Sequence, residues 1–347
     1  MRRALLAAVI VLAACDSTPA SPSVTDAGVD AGAHDAGPED AGAGDDGGLR
    51  PDAGGDDAGA SDAGVDAGAP DAGTTMDAGL PGGGDALIAA RPYDVTVPPQ
   101  YDGGTALPLV VLLHGYGADA ASQDLYFGMS AAARARGFLL ALPNGTRNAS
   151  FLRFWNATDA CCAFGDPVDD VAYLTAVLDD MQRRFRVDPK RVYFAGHSNG
   201  GFMSHRMACE RADRVAAIVS LAGAVWKDET KCKPSQPVSV LQAHGSLDAV
   251  IFYGGGSNVG IPYPGAEETV ATWAAKNGCG TTTSALTPDL DLVSDLLGDE
   301  TERVAYDGCP AGGAAERWRI AGAGHLPSFN GSWADAIYDW MLAHPKP

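Results

Sequence analysis

Ser198 stands at the centre of Gly196-His197-Ser198-Asn199-Gly200, after the β-branched and aromatic run Val192-Tyr193-Phe194 and before a helix-like stretch from Phe202 to Arg211. Strand, sharp turn and helix with a serine at the apex is the arrangement that lifts a hydroxyl above a sheet edge. Glycines two before and two after leave room for a cramped backbone. The helix that follows offers backbone N–H groups to a negative charge. A serine hydroxyl is a poor nucleophile at neutral pH, so a base must take its proton and a third group must orient the base. Asp248, in His244-Gly245-Ser246-Leu247-Asp248, and His325, in Gly322-Ala323-Gly324-His325, supply both, in the order nucleophile, acid, histidine. Each has a plainer reading: Asp248 as a turn aspartate, His325 as a surface histidine. His197 and His244 are weaker bases, because each lies inside a tight motif that points it elsewhere. His114 reads as a structural hydrogen-bonder.

Acyl transfer at such a serine builds an oxyanion that needs two N–H donors. Asn199, the next residue, is expected to give one amide, and Tyr116 of His114-Gly115-Tyr116-Gly117 the other. No Cys-x-x-Cys pair beside a histidine cluster suggests a metal. The chemistry calls for no cofactor.

The elements that must hold these residues alternate between strand and helix. Arg91 to Val97 alternates like an edge strand, and Leu107 to Leu113 is a continuous apolar run expected of a central strand. Gln123 to Arg136 reads as one helix capped by Gly137, Phe138 to Leu142 as a strand, and 144–167 as a long polar and aromatic loop. Asp169 to Phe185 is amphipathic, with Val171, Leu174, Val177, Leu178 and Met181 on one face. Its first residues, Asp169 and Asp170, read as helix N-terminal charge. Val215 to Leu221 and Val238 to Ala243 are further buried strands, and Thr269 to Lys276 looks helical. Val304 to Tyr306 and Glu316 to Ile320 read as late strands, and Trp333 to His344 as the last helix. This order predicts the α/β class, with a mostly parallel central sheet and helices on both faces. Ligands in such sheets sit at the carboxyl ends of strands, and each candidate residue follows a predicted strand.

The first 84 residues are of a different kind. Arg2 and Arg3 precede the apolar run Ala4 to Ala14, which is too short for a mature membrane span. Leu12-Ala13-Ala14-Cys15 matches a bacterial lipoprotein box, so 1–15 is read as a signal peptide with Cys15 as the lipidated residue. Residues 16–84 carry ten Asp-Ala-Gly repeats and almost no large apolar side chain, so nothing offsets the entropy of ordering them. From Asp16 to Leu80 there are fifteen acids and one base, Arg50, a charge of −14 out of −20 for the whole chain. The acidity belongs to a tether and argues against nucleic-acid binding. A solvated spacer is the reading preferred to calcium binding, because the repeats lack β-roll spacing. The remaining 263 residues, 85–347, suffice for one α/β domain. The protein is therefore expected to be exported and anchored to a membrane by lipid alone, facing the periplasm or cell exterior, with secretion as the alternative. A monomer is the expected form.

Six cysteines remain besides Cys15, and an even number in an exported chain suggests disulfides. Cys161 and Cys162 are adjacent, and are expected to bridge to two different partners rather than to each other.

Pro108–Leu113 with His114-Gly115, Phe154-Trp155-Asn156 with Cys161-Cys162, Val168-Asp169-Asp170-Val171, Gly196–Gly201, His244-Gly245 with Asp248, and Gly324-His325 form an ordered set. Together they resemble the polyhydroxybutyrate depolymerase and feruloyl esterase-like hydrolases over nearly all of 90–345. The resemblance implies an α/β-hydrolase fold, carboxylic ester hydrolysis, and nucleophile, acid and base roles for Ser198, Asp248 and His325. Trp273, Asn277-Gly278-Cys279 and Cys309 are also similar to the family, which implies a Cys279–Cys309 bridge. The chain departs from the family where many members follow the histidine with Thr-Trp-Pro and this one has Leu326-Pro327. A wall-forming tryptophan is thus missing, and Trp155, Tyr116 or Trp226 are candidates to line the acyl pocket, with core packing as the alternative for each. The expected substrate is a feruloyl or acetyl ester of a polysaccharide, or a related ester. The competing readings are a polyhydroxyalkanoate depolymerase and, in another class, an inactive cell-surface binding module.

Overall fold

The computed structural model describes residues 83–347 except 164 and 166. The signal segment, Cys15 and the Asp-Ala-Gly tract lie outside the described residues. Helix α1 (Gly83–Ala90) begins just before the expected domain start and packs on a later helix. Strand β1 (Asp94–Thr96) and β2 (Leu107–Leu113) follow.

The stretch expected as one helix is two, α2 (Ala120–Phe127) and α3 (Met129–Arg136). Gly128, at φ 73°, ends the first by donating to the Asp124 carbonyl, and the Asp124 side chain then accepts from the Ser130 amide in the second. The apolar spacing runs through the break, so periodicity alone does not reveal it. After β3 (Leu139–Leu142), the predicted loop contains a short hairpin, β4 (Thr146–Arg147) with β5 (Arg153–Phe154). Helix α4 (Asp170–Arg184) is capped by Asp169, whose carboxylate accepts from the Ala172 amide. Asp170 does more than supply terminal charge. It is fully buried, bonded to Arg91 at 2.7 Å and to the Asn156 amide at 2.7 Å.

Strand β6 (Val187–His197), α5 (Asn199–Glu210), β7 (Ala217–Leu221) and β8 (Ser239–Gly245) form the middle of the molecule. A hairpin of β9 (Gly255–Asn258) and β10 (Ile261–Pro264) leads into α6 (Ala266–Asn277). The chain ends with β11 (Thr283–Leu290), β12 (Thr301–Tyr306), β13 (Ala315–Ile320) and α7 (Ser332–Leu342). Strand β11 was not anticipated, because it is largely exposed and lacks an apolar run.

Nine strands form one sheet in the order β1-β3-β2-β6-β7-β8-β13-β12-β11. The six from β3 to β13 are parallel, and the edges are antiparallel. Strand β2 explains the layering. Leu109, Val111 and Leu113 pack with Leu174 and Val177 of α4 and Met203 of α5, whereas Val110 and Leu112 pack with Met129 of α3 and with Trp333 and Ile337 of α7. Both faces are covered, so both sets of alternating side chains are apolar. Each large side chain so buried contributes about 1.5–3 kcal/mol.

Cys209 is bonded to Cys232, and Cys279 to Cys309 as the resemblance implies. The expectation for the adjacent pair is corrected: Cys161 and Cys162 are bonded to each other. Cys209 and Cys232, on either side of β7, satisfy one another, as do Cys279 and Cys309, which leaves the buried neighbours only themselves. Among the described residues, no helix is long and apolar enough to cross a membrane.

Candidate active site

Ser198 lies between β6 and α5 with φ 54° and ψ −120°. A non-glycine residue in that region costs roughly 1–3 kcal/mol and must be held from outside. The Ser198 amide donates to Leu221 O at 2.8 Å, and its carbonyl accepts from the Phe202 amide at 3.0 Å. The flanking glycines are sterically required. A Cβ on Gly196 would lie 2.4 Å from the Gly200 carbonyl, and one on Gly200 2.2 Å from Leu113 O.

Asp248 sits in the turn after β8 and is buried. Its Oδ1 accepts from the Val250 and Ile251 amides at 2.8 and 2.9 Å. Its Oδ2 accepts from His325 Nδ1 at 2.8 Å and lies 3.3 Å from His244 Nε2. Burial alone would raise the carboxyl, but the bonds from His244, His325 and Val250 outweigh it and hold Asp248 well below the ordinary carboxylate range. With Nδ1–H committed to Asp248, the lone pair of His325 is on Nε2, the nitrogen a base would use.

The loops carrying Asp248 and His325 are zipped together. Ser246 N donates to Ile320 O at 3.0 Å, Leu247 N to Ala323 O at 2.9 Å, and Gly322 N to Ser246 Oγ at 2.9 Å. Gly245 permits this, since a Cβ there would come 2.3 Å from Gly324 O. The sheet brings β8 and β13 together as parallel neighbours, so residues 77 apart in sequence meet at one strand end.

His197 is buried, and its Nε2 donates to the His325 carbonyl at 2.9 Å. Burial, and then the nearby His325, push its pKa down to about 3, so it stays neutral. His114 is also buried. Its Nε2 accepts from Gly145 N at 2.9 Å and its Nδ1 donates to Gly115 O at 2.8 Å, with burial pushing its pKa down to about 4. The loop it begins runs beside the elbow: a Cβ on Gly115 would lie 3.6 Å from Ser198 Cβ. Tyr116 is half-buried, and its hydroxyl accepts from Asn148 Nδ2 at 2.7 Å.

Asn199 makes side-chain contacts that its motif did not reveal. Its side chain is fully buried, with Oδ1 accepting from Trp155 N at 2.7 Å and Nδ2 donating to Trp155 O at 2.9 Å. Trp155 in turn donates its indole N–H to His114 O at 3.0 Å. Trp155 is fully buried and Trp226 nearly so, both within the core. Of the three expected pocket residues, Tyr116 is the most exposed. Exposed apolar side chains lie close to the candidate residues in sequence, Leu247 and Phe252 in the Asp248 loop and Leu326 after His325.

The family model for "Esterase PHB depolymerase" matches residues 92–272. Feruloyl esterase B of Piromyces equi is 30% identical over 243 residues, covering 68% of this chain and 42% of that protein. The putative esterase NocK of Nocardia uniformis subsp. tsuyamanensis is 35% identical over 142 residues, covering 41% of this chain and 40% of that one. The matches thus span about two fifths of the length of these two relatives. Among solved structures, acetyl xylan esterase from Aspergillus awamori superposes with a TM-score of 0.50 at 14% identity, over 72% of this chain and 92% of that one, a likeness of fold. The doubly covered parallel sheet with a serine elbow after β6 is the α/β-hydrolase fold, and with more than half of its length matched the chain belongs to the esterase PHB depolymerase family.

Proposed function

We propose that this protein is a serine esterase that hydrolyses carboxylic esters through an acyl-enzyme. The observation that carries the reading is the Asp248–His325 hydrogen bond of 2.8 Å, in a loop that is also bonded to His197, the residue before Ser198. His325 Nε2 takes the proton from Ser198 Oγ as Oγ attacks the ester carbonyl. Asp248 holds the ring and balances the imidazolium that forms. The amides of Asn199 and Tyr116 stabilise the oxyanion, a term worth about 3–4 kcal/mol per donor. His325 then returns the proton to the departing alkoxide. It next activates water, which releases the acid and restores Ser198.

The substrate class is a feruloyl or acetyl ester of a polysaccharide, in line with the names of the relatives. The family's name favours a second reading, a polyhydroxyalkanoate polyester, and the exposed Leu247, Phe252 and Leu326 would suit an apolar chain. Tyr116 is the remaining candidate for the acyl wall. Residues 1–15 act as a lipoprotein signal, Cys15 carries the lipid, and 16–84 tether the catalytic domain away from the membrane.

The test compares turnover of p-nitrophenyl acetate, methyl ferulate, acetylated xylan and a hydroxybutyrate film, with Ser198→Ala as control. Turnover lost in Ser198→Ala by about 10⁴-fold or more supports the reading. Turnover that survives Ser198→Ala overturns the assignment, and no turnover of any ester would leave the binding module.

A further inference from the structure

Asp248 serves two histidines. Beyond His325, its Oδ2 lies 3.3 Å from Nε2 of His244, the first residue of the same motif. That Nε2 is also 2.8 Å from Ile251 O, and a carbonyl can only accept, so the nitrogen carries a proton. The other ring nitrogen, Nδ1, is 3.3 Å from Nε2 of Gln242. Gln242 Nε2 also donates to Gly223 O at 2.9 Å, which identifies it as the amide nitrogen. Its Oε1 is 2.9 Å from His205 Nε2, and His205 Nδ1 is 2.9 Å from the indole nitrogen of Trp273. All five residues from Trp273 to Asp248 are buried.

An indole can only donate. The Trp273 N–H therefore makes His205 Nδ1 an acceptor, and the His205 proton must sit on Nε2. It donates to Gln242 Oε1, so the Gln242 amide faces His244 Nδ1 and leaves the His244 proton on Nε2. The constraints from the Trp273 end agree with those from the Gly223 and Ile251 carbonyls. A second proton on His244 Nδ1 would meet the Gln242 N–H. Turning Gln242 would set that N–H against His205, and turning His205 would set a proton against the indole. Every alternative leaves two buried donors facing each other, an unmet desolvation cost.

We propose that His244 is a positioning residue of the ester-hydrolysing site, locked by Trp273, His205 and Gln242 as the Nε2–H tautomer so that it steers the Asp248 carboxylate onto His325 while drawing off part of its charge. This rests on the roles proposed for Ser198, Asp248 and His325. Titratable and charged groups face His244 from several elements. Asp248 and Tyr253 come from its own loop, the Tyr253 ring standing edge-on at 5.7 Å. Arg319, its register partner on β13, is bonded to Glu302 and stands over Tyr253. His205 lies behind it on α5, and His197 and His325 lie across the carboxylate.

The experiment uses the full chain and follows p-nitrophenyl acetate turnover across pH, with histidine ¹⁵N NMR in parallel. His244→Phe keeps an aromatic ring but removes the N–H. It is expected to lower kcat by about tenfold or more with KM within about twofold. It should also move the acid limb of kcat/KM upward, because Asp248 then concentrates its charge on the His325 imidazolium. His244→Gln, which keeps an N–H near the Nε2 position, is expected to recover most of kcat and return the limb. In the wild type, NMR should show the His244 proton on Nε2, and in Trp273→Phe, which frees the far end of the chain of bonds, a mixture of the two tautomers. Wild-type kcat and acid limb in His244→Phe, in a protein that Ser198→Ala inactivates, would overturn the proposal. So would a wild-type His244 that carries its proton on Nδ1, a result that needs no activity. Turnover surviving Ser198→Ala would instead sink the esterase assignment.

Discussion

His197 Nε2 donates to the backbone carbonyl of His325 at 2.9 Å, so the residue before the elbow serine grips the loop that carries the distant histidine. The two rings lie 4.7 Å apart, and Tyr126 closes the other side of His197 edge-on at 5.5 Å while its hydroxyl donates to Pro327 O. One buried ring thus ties together strand β6 and the loop after β13.

That tie predicts a kinetic effect without a binding effect. His197→Leu should lower kcat on a small ester by about 10- to 100-fold, with KM nearly unchanged, because displacing a base by about 1 Å has that cost. Steady-state kinetics on the folded variant check this. A wild-type kcat would show that the loop holds itself.

Asn199→Ala should be a stability variant first. It strips partners from the buried Trp155 N–H and C=O, each worth about 1–3 kcal/mol when orphaned. A loss of about 2–4 kcal/mol is expected in urea unfolding, while the backbone amide of residue 199 is retained and activity well below the transition falls by no more than about tenfold. An unfolding midpoint equal to wild type would contradict the clamp.

Acid should unfold this protein through its interior. Burial pushes the pKa of His114 to about 4, of His197 to about 3 and of His205 to about 4. All three are neutral in the fold, whereas the unfolded chain binds a proton at each below about pH 6.5. Stability is therefore fully present above that value and falls as pH drops from about 6.5 towards about 4, by up to about 1.4 kcal/mol per pH unit for each group. Asp248 acts in the same direction at lower pH. Its carboxyl is held below the ordinary range, so its contribution is present above that range and lost as pH falls through the lowered value. Urea unfolding at pH 7, 6 and 5 should show stability declining with net proton uptake. A flat profile would refute the buried neutral histidines.

Cys15→Ser should move the protein from the membrane to the soluble fraction of cells that make it. Membrane fractionation with an antibody to the catalytic domain reads the outcome, and an unchanged distribution would contradict lipidation at Cys15.

Much of this was legible in the chain itself because the pattern was redundant. Leu107–Leu113 has no polar residue to interrupt it, and only a strand covered on both faces permits that. The elbow was legible because glycines at 196 and 200 leave a mark that few other structures need. The break at Gly128 and strand β11 were not legible, since one lies inside a continuous apolar spacing and the other has little apolar spacing. The pairing of Cys161 with Cys162 went against expectation, because identity and position do not say which other sulfurs are already taken.

The amino-acid order by itself determined the alternation of strand and helix, the acidic tract ahead of it, and which side chains could supply an alcohol, a carboxylate and an imidazole. Only the tertiary structure decided which of several histidines meets which partner. His114, His197, His205, His244 and His325 are chemically identical in the chain. Burial, a shared carboxylate and the one-way bonding of an indole make one of them a candidate base and the others its framework. Those distinctions depend on dielectric and hydrogen-bond direction, which arise only when distant segments are packed together.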